Sequence, residues 1–300
     1  AIGEKAFYNF TSLAAVDLSA SKVTSIPNYA FYKCSALTSL KMADDTKSIG
    51  AYAFYGCESL DAITVPATVS SIATGAFAYC TKIEAIKIPE AIKTVAARAF
   101  YKCSSLATVE IANDITSIGE SAFAYTALKT FAIPATVTEL AKGAFSYCSA
   151  LESITFADGF AMTEFAQNLF PNCTALKGIE IPATVTVINN GAFHTCTALE
   201  SVTLSPDTTQ IAQNSFVNCA AIKEINETYN TTVTLTPHDI GDIEQLCSRI
   251  IVIDEGRKIY DGTLQNLKET YGTHCKIRME IRDRAAGIES VQFAAAGFRR

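Results

Sequence analysis

Eight cysteines of this 300-residue chain, at positions 34, 57, 80, 103, 148, 173, 196 and 219, recur at one place in a repeated unit. Thiols spaced so regularly pose two chemical readings, a metal site or a run of disulfides. Zinc needs ligands converging on a point, and a one-dimensional column of equivalent thiols does not surround one. Neighbouring thiols could reach disulfide distance, yet bonding them in pairs would distort a regular stack. The pattern therefore predicts buried thiols acting as small apolar fillers, and no cofactor or metal is expected. Phe10 takes the same slot in the first unit, which fits a filler better than a ligand. The redox compartment stays open on this count. His194 falls in a turn with no acidic or serine partner fixed by the pattern, and reads as a surface variant. His238 and Asp239 form a lone pair in "TLTPHDIGDIEQLC" (234–247), where Asp239 would suit the N-cap of a helix.

Tyrosine makes a second column. Tyr8, Tyr32, Tyr55, Tyr79, Tyr101, Tyr125 and Tyr147 each fall one or two residues after a recurring phenylalanine. A ladder of amphipathic rings along one flank could form a contact strip for a protein or a glycan, since tyrosine brings large area at low entropic cost. The competing expectation is that each ring packs on the next unit and turns only its hydroxyl to water. The outward strand positions run Asp17, Lys41, Thr64, Lys87, Glu110, Ala132, Thr155, Glu180 and Thr203, as a solvated sheet face requires.

The elements that must position these columns follow from the period. Phenylalanines stand at 7, 31, 54, 77, 100, 123, 145, 170, 193 and 216, at intervals of 22 to 25 residues. A full unit, "LDAITVPATVSSIATGAFAYC" (60–80), reads as a short strand, a second extended piece V-x-x-I, and G-A-F-x-x-C, long enough for about one helical or 3₁₀ turn. One unit cannot bury its Phe, Leu and Ile alone, whereas stacked units can, which predicts a solenoid. At a strand spacing of ~4.8 Å, ten coils make a rod on the order of 50 Å. Residues 1–221 are assigned to about ten ~23-residue units, the first truncated, and 222–300 to a foreign tail in which the period is lost. "IGEKAF" (2–7) matches the middle of later units, so the chain is expected to be a fragment, with any export signal upstream. The net charge of −6 and a pI near 5.2 give no electrostatic footprint for nucleic acid. No apolar run approaches the ~20 residues that cross a bilayer.

The reiterated A-F-x-x-C-x-x-L-x-x-I-x-I-P, as in "AFHTCTALESVTL" (192–204), resembles the BspA-like leucine-rich repeats over residues 2 to about 225. That resemblance implies a repeat solenoid of leucine-rich-repeat type. A parallel β-sheet would lie on one side, with turns or short 3₁₀ or helical pieces on the other. It also implies a surface or secreted protein associated with adhesion and protein binding. Residues 222–272 resemble the C-terminal end of an ABC transporter ATP-binding subunit, closely along "HDIGDIEQLC" and "RIIVIDEGRKIYDGTL", which implies a small α/β tail. By that resemblance His238 is the switch histidine that reaches a nucleotide γ-phosphate, although Pro237 and Ser248 replace the usual Ser and Asp. The sequence has no G-x-x-x-x-G-K-[ST] loop to cradle phosphates, so ATPase activity is not expected. The tail is read as a non-functional fusion or an end cap. The alternative is a nucleotide-binding accessory whose site a partner completes. The final "AGIESVQFAAAGFRR" (286–300) shows no pattern and is expected to be poorly ordered.

Overall fold

The computed structural model describes residues 1–204 and 207–222 throughout. Beyond them it describes the strands Glu224–Glu227, Thr234–Leu235, Ile250–Asp254, Arg257–Gly262, Met279–Arg282 and Ser290–Phe293, together with Asn266.

Each unit contributes two short parallel rungs. The first column of rungs includes Ala15–Asp17, Ser39–Lys41, Ala85–Lys87, Thr108–Glu110, Ser153–Phe156 and Ser201–Leu204. The second includes Ser25–Ile26, Ser48–Ile49, Ser71–Ile72, Ser117–Ile118 and Gln210–Ile211. Register is set by the apolar residue of each rung. Val16 faces Leu40 and Ile179 faces Val202 in the first column, while Ile26, Ile49 and Ile72 line up in the second. A one-residue slip would turn these side chains to solvent, so burial of a single face fixes the pairing. The two columns continue past residue 222, because Glu224–Glu227 pairs parallel with Ser201–Leu204 and Thr234–Leu235 pairs with Gln210–Ile211.

The third side takes the first of the expected alternatives, turns, in place of a single helical or 3₁₀ turn. The described residues among 1–222 contain no helix. The A-F-x-x-C segments instead form consecutive β-turns whose amides alternate in direction. Ala30, Tyr32 and Cys34 donate within the coil to the carbonyls of Pro27, Tyr29 and Phe31. Tyr29, Phe31 and Lys33 donate to Ala51, Ala53 and Tyr55 of the next coil, at 3.0, 2.8 and 2.6 Å. The turns therefore make a third inter-coil ladder. The alternation requires a left-handed backbone two residues before and two after each Phe, as at Tyr29 (φ 55°) and Lys33 (φ 56°). A positive φ at the third residue is the type II turn geometry, usually a glycine position. Gly56, Gly75, Gly143 and Gly191 supply it in four coils, while Tyr, Lys, Arg, Asn, Ser or Thr hold the remaining positions.

Inside these three ladders the recurring phenylalanines form one continuous file. Successive ring centroids from Phe7 to Phe216 lie 5.0 to 5.7 Å apart, all stacked. The planes lie within 9° from Phe7 to Phe123 and open to 18–21° between Phe123 and Phe193, where the repeat length varies. Phe131 fills the space there, against Phe123 at 5.3 Å and Phe145 at 5.0 Å. Full burial of one such ring contributes roughly 1.5–3 kcal/mol.

In the tail, Ile250–Asp254 and Arg257–Gly262 form an antiparallel hairpin with a register shift at Val252/Ile253. Met279–Arg282 pairs antiparallel with Ser290–Phe293, the latter inside the 286–300 stretch expected to be poorly ordered. Of the helical patterns at 240–250 and 263–272, only Ile250, in a strand, and Asn266, helical, are among the described residues.

Candidate functional site

The turn ladder places the tyrosines. Positions one and two after each Phe, and two before it, all project from one flank, and every tyrosine of residues 1–222 occupies one of these three places. Tyr8, Tyr32 and Tyr55 follow their Phe by one residue and stack in parallel, with centroids 4.7 Å apart in both pairs. Tyr125 and Tyr147 follow theirs by two and stack at 4.4 Å. Where the offset changes between neighbours, the rings cannot superpose and tilt instead. Tyr55–Tyr79 is inclined by 49°, Tyr79–Tyr101 by 66° and Tyr101–Tyr125 by 79°. The result is an unbroken aromatic ladder over seven coils. Its inner rings are half-buried, and Tyr8 and Tyr147 at its ends are 41% and 44% exposed.

The expected column was incomplete. Tyr29 and Tyr52, two residues before their Phe, form a second short file at 5.4 Å, and each meets its own coil's Tyr32 or Tyr55 nearly edge-on. The signal in sequence was the shared G/Y/R position before A-F, which becomes readable only once its left-handed backbone is known. Between the two files lies a cleft of about 520 Å³, lined by Tyr29, Tyr32, Tyr52, Tyr55, Tyr79, Arg98 and Tyr101 among others. Burial pushes the Tyr55 phenol above its ordinary pKa, with Tyr79 beside it adding to the shift.

Cations complete the flank. The Lys102 ammonium lies 5.1, 5.6 and 5.2 Å from the ring centroids of Tyr79, Tyr101 and Tyr125, and these phenols, Tyr101 first, hold its pKa above the usual lysine value. Lys33 lies 5.7 Å from the Tyr32 ring and Lys5 5.6 Å from Tyr29. Arg98 makes an exposed 3.4 Å pair with Glu120.

The eight repeat cysteines are free and buried, and they do more than fill space. Each thiol donates to the Phe carbonyl of the preceding coil, as in Cys57 to Phe31 at 3.2 Å and Cys103 to Phe77 at 3.1 Å. Thr126 takes the slot in the one interior coil without cysteine, where its hydroxyl donates to the Phe123 carbonyl at 2.8 Å and meets the Cys148 thiol at 3.3 Å. Burial pushes the Cys103 thiol up to about 12 and Cys148 to about 11, so neither is a nucleophile at neutral pH. Among the described residues no group of His, Cys, Asp and Glu could hold a metal ion. The His194 imidazole meets only the neighbouring Thr195 hydroxyl, at 2.8 Å, among hydrogen-bonding side chains. On the outward sheet face, Lys41 pairs with Asp17 at 3.6 Å across adjacent coils, and both remain well exposed. His238 lies outside the described residues.

Two parallel columns, a turn ladder and an apolar file recurring with the period define the class as a leucine-rich-repeat solenoid. Residues 1–129 and 116–236 match the BspA type leucine rich repeat region in six copies, and the chain belongs to that family. Its fold is similar to a leucine rich cell surface protein of Faecalibacterium prausnitzii, 24% identical, covering 72% of this chain and 83% of that one at a TM-score of 0.42. A leucine-rich repeat protein of Bacteroides ovatus is also 24% identical over 78% and 77% of the two chains, TM-score 0.49. The Treponema pallidum leucine rich repeat protein is 27% identical over 58% and 69%, TM-score 0.42. A separate stretch of 66 residues is 36% identical to the daunorubicin/doxorubicin resistance ATP-binding protein DrrA of Streptomyces peucetius. It spans 22% of this chain and a fifth of that protein, and the ABC-like character of the tail rests on this partial match. No helix among the described residues is long and apolar enough to cross a membrane.

Proposed function

We propose that the protein is a non-catalytic adhesion scaffold, acting at the cell surface or after secretion, which grips a protein or glycan ligand along its tyrosine flank. The observation that supports this most is the continuous ladder from Tyr8 to Tyr147 with a second wall at Tyr29 and Tyr52. Large rings with their hydroxyls at the surface give a ligand much contact area with little motion to freeze. Family membership supports the scaffold role, and one similar structure is that of a cell surface protein. Replacing Tyr79 and Tyr101 with serine should abolish ligand capture while the fold persists in circular dichroism. Melting without any change in capture by the folded fraction would refute this reading.

In this proposal the repeats form the working unit and the tail after residue 221 carries no nucleotide chemistry. The strands Glu224–Glu227 and Thr234–Leu235 support its role as an end cover, since they lie on the last coil where an uncovered solenoid would expose its apolar interior. Absence of ATP·Mg²⁺ binding at millimolar concentration by calorimetry is expected.

A further inference from the structure

We infer that the ligand of the tyrosine flank is an acidic polysaccharide, held by Lys33, Arg98 and Lys102 against the phenol edges. This rests on the proposal above that the flank is the binding surface, and adds to it the chemistry of the ligand.

The first observation is charge. The chain carries a net −6, yet the three flank positions of the ten Phe-bearing units hold Lys5, Lys33, Arg98 and Lys102 and not one carboxylate. All four cations lie within the same coils as the tyrosines, from residue 5 to 147. The later flank positions change to Asn168, Asn172, Gly191, Asn214 and similar neutral residues. A cationic, aromatic strip on an acidic protein is complementary to an anionic chain, with the Glu120 carboxylate beside it paired to Arg98.

The second observation is what remains available for contact. From Ala51 to Cys57 every backbone N–H already donates, to its own or the neighbouring coil or to Asn28 Oδ1, and every carbonyl from Gly50 to Tyr55 accepts. A peptide strand therefore finds no free edge to extend, and main-chain pairing is what gives extended peptides their affinity. Faces of the inner rings are also taken, either by the next ring at 4.4–4.7 Å or by the Lys102 ammonium. This leaves ring edges, a row of hydroxyls and ammonium or guanidinium groups. Those suit a ligand dense in hydroxyls and carrying regularly spaced anions. Lys33 and Lys102 stand three coils apart, roughly 14 Å at the ~4.8 Å rise between paired strands. The exposed Arg98–Glu120 pair contributes little to stability and can open to a carboxylate of the ligand.

The test uses the full chain and polygalacturonate, with neutral dextran and polyglutamate as comparisons, in affinity electrophoresis at low and moderate salt. Polygalacturonate should bind, more weakly as salt rises, and dextran at least tenfold less well. Lys33, Arg98 and Lys102 occupy left-handed positions where Gly56, Gly75 and Gly143 stand elsewhere, so Lys33→Gly, Arg98→Gly and Lys102→Gly remove charge without breaking the turn. The triple variant should lose at least tenfold in polygalacturonate affinity with an unchanged or raised melting temperature, and each single variant a part of it. Unchanged affinity in these variants would overturn the inference, as would dextran or polyglutamate binding as tightly as polygalacturonate. Capture of a neutral ligand that Tyr79→Ser and Tyr101→Ser abolish, with no response to the cation variants, would leave the flank a binding surface and refute its acidic ligand.

Discussion

At the scale of residues, the cysteines show how a bland role carries specific chemistry. Their position and burial were legible from the period alone, because only an apolar slot recurs beside the Phe. Their donation to the preceding Phe carbonyl was not, since it depends on a turn geometry that the letters do not display. The consequence is an alkaline weakness. Thiols with an ordinary value of 9.0 are held at about 11 and 12 at Cys148 and Cys103, so the folded chain keeps protons that the unfolded chain releases. Their contribution to stability is full below about pH 9 and is lost as pH rises through 11 to 12. Denaturant midpoints should fall steeply above pH 9, and iodoacetamide should label the repeat cysteines only on unfolding. A second residue is out of place. The Thr208 hydroxyl is buried with no hydrogen-bond partner among the described residues, in a slot that Val69, Val137 and Val185 fill elsewhere. An unsatisfied buried hydroxyl costs about 1–3 kcal/mol, so Thr208→Val should raise unfolding free energy by roughly 1 kcal/mol in urea titration.

At the scale of the element, the turn ladder is the part that sequence reasoning left open between turns and a short helical piece. Strand rungs announce themselves by alternation, but a run of β-turns of this length has the same apolar spacing as one helical turn, and G-A-F-x-x-C fits both. The distinguishing sign is the mixture of Gly, Asn, Tyr and Lys two residues either side of Phe, which only a left-handed backbone explains. This gives a contrast between neighbouring tyrosines. Tyr79 has φ 62° and Tyr101 does not share the left-handed region. Tyr79→Gly relieves about 1 kcal/mol of backbone strain while losing ring contacts of about 0.5–1.5 kcal/mol, and should leave stability within about 1 kcal/mol. Tyr101→Gly gains nothing and should cost about 1–2 kcal/mol by the same measurement. In the opposite direction, Gly75→Ala places a Cβ 2.5 Å from the Tyr52 ring at φ 61°, and should destabilise by about 1–3 kcal/mol.

At the scale of the whole molecule, the stack behaves as a one-dimensional array in which each coil covers only its neighbours. The period and the Phe file made this architecture readable, and the ten regularly spaced phenylalanines do align in one internal column. What the sequence left obscure was where the stack stops, because the composition changes near 222 while parallel pairing runs on to Leu235. Amides of Glu224–Glu227 should accordingly exchange slowly with deuterium, at rates close to those of the preceding coil, and free exchange there would place the end of the stack earlier. Phe100→Ala at the middle of the file should cost about 3–5 kcal/mol, since the ring's two stacked neighbours would face a void.

The confinement of tyrosine to one flank also makes the protein its own optical probe. It has no tryptophan, and nine of its twelve tyrosines stand on that strip. Near-ultraviolet absorption and emission therefore originate mainly where a ligand would sit, and closely stacked rings share excitation between coils. Seating of a ligand anywhere between Tyr8 and Tyr147 should alter emission from the whole array, with no label attached.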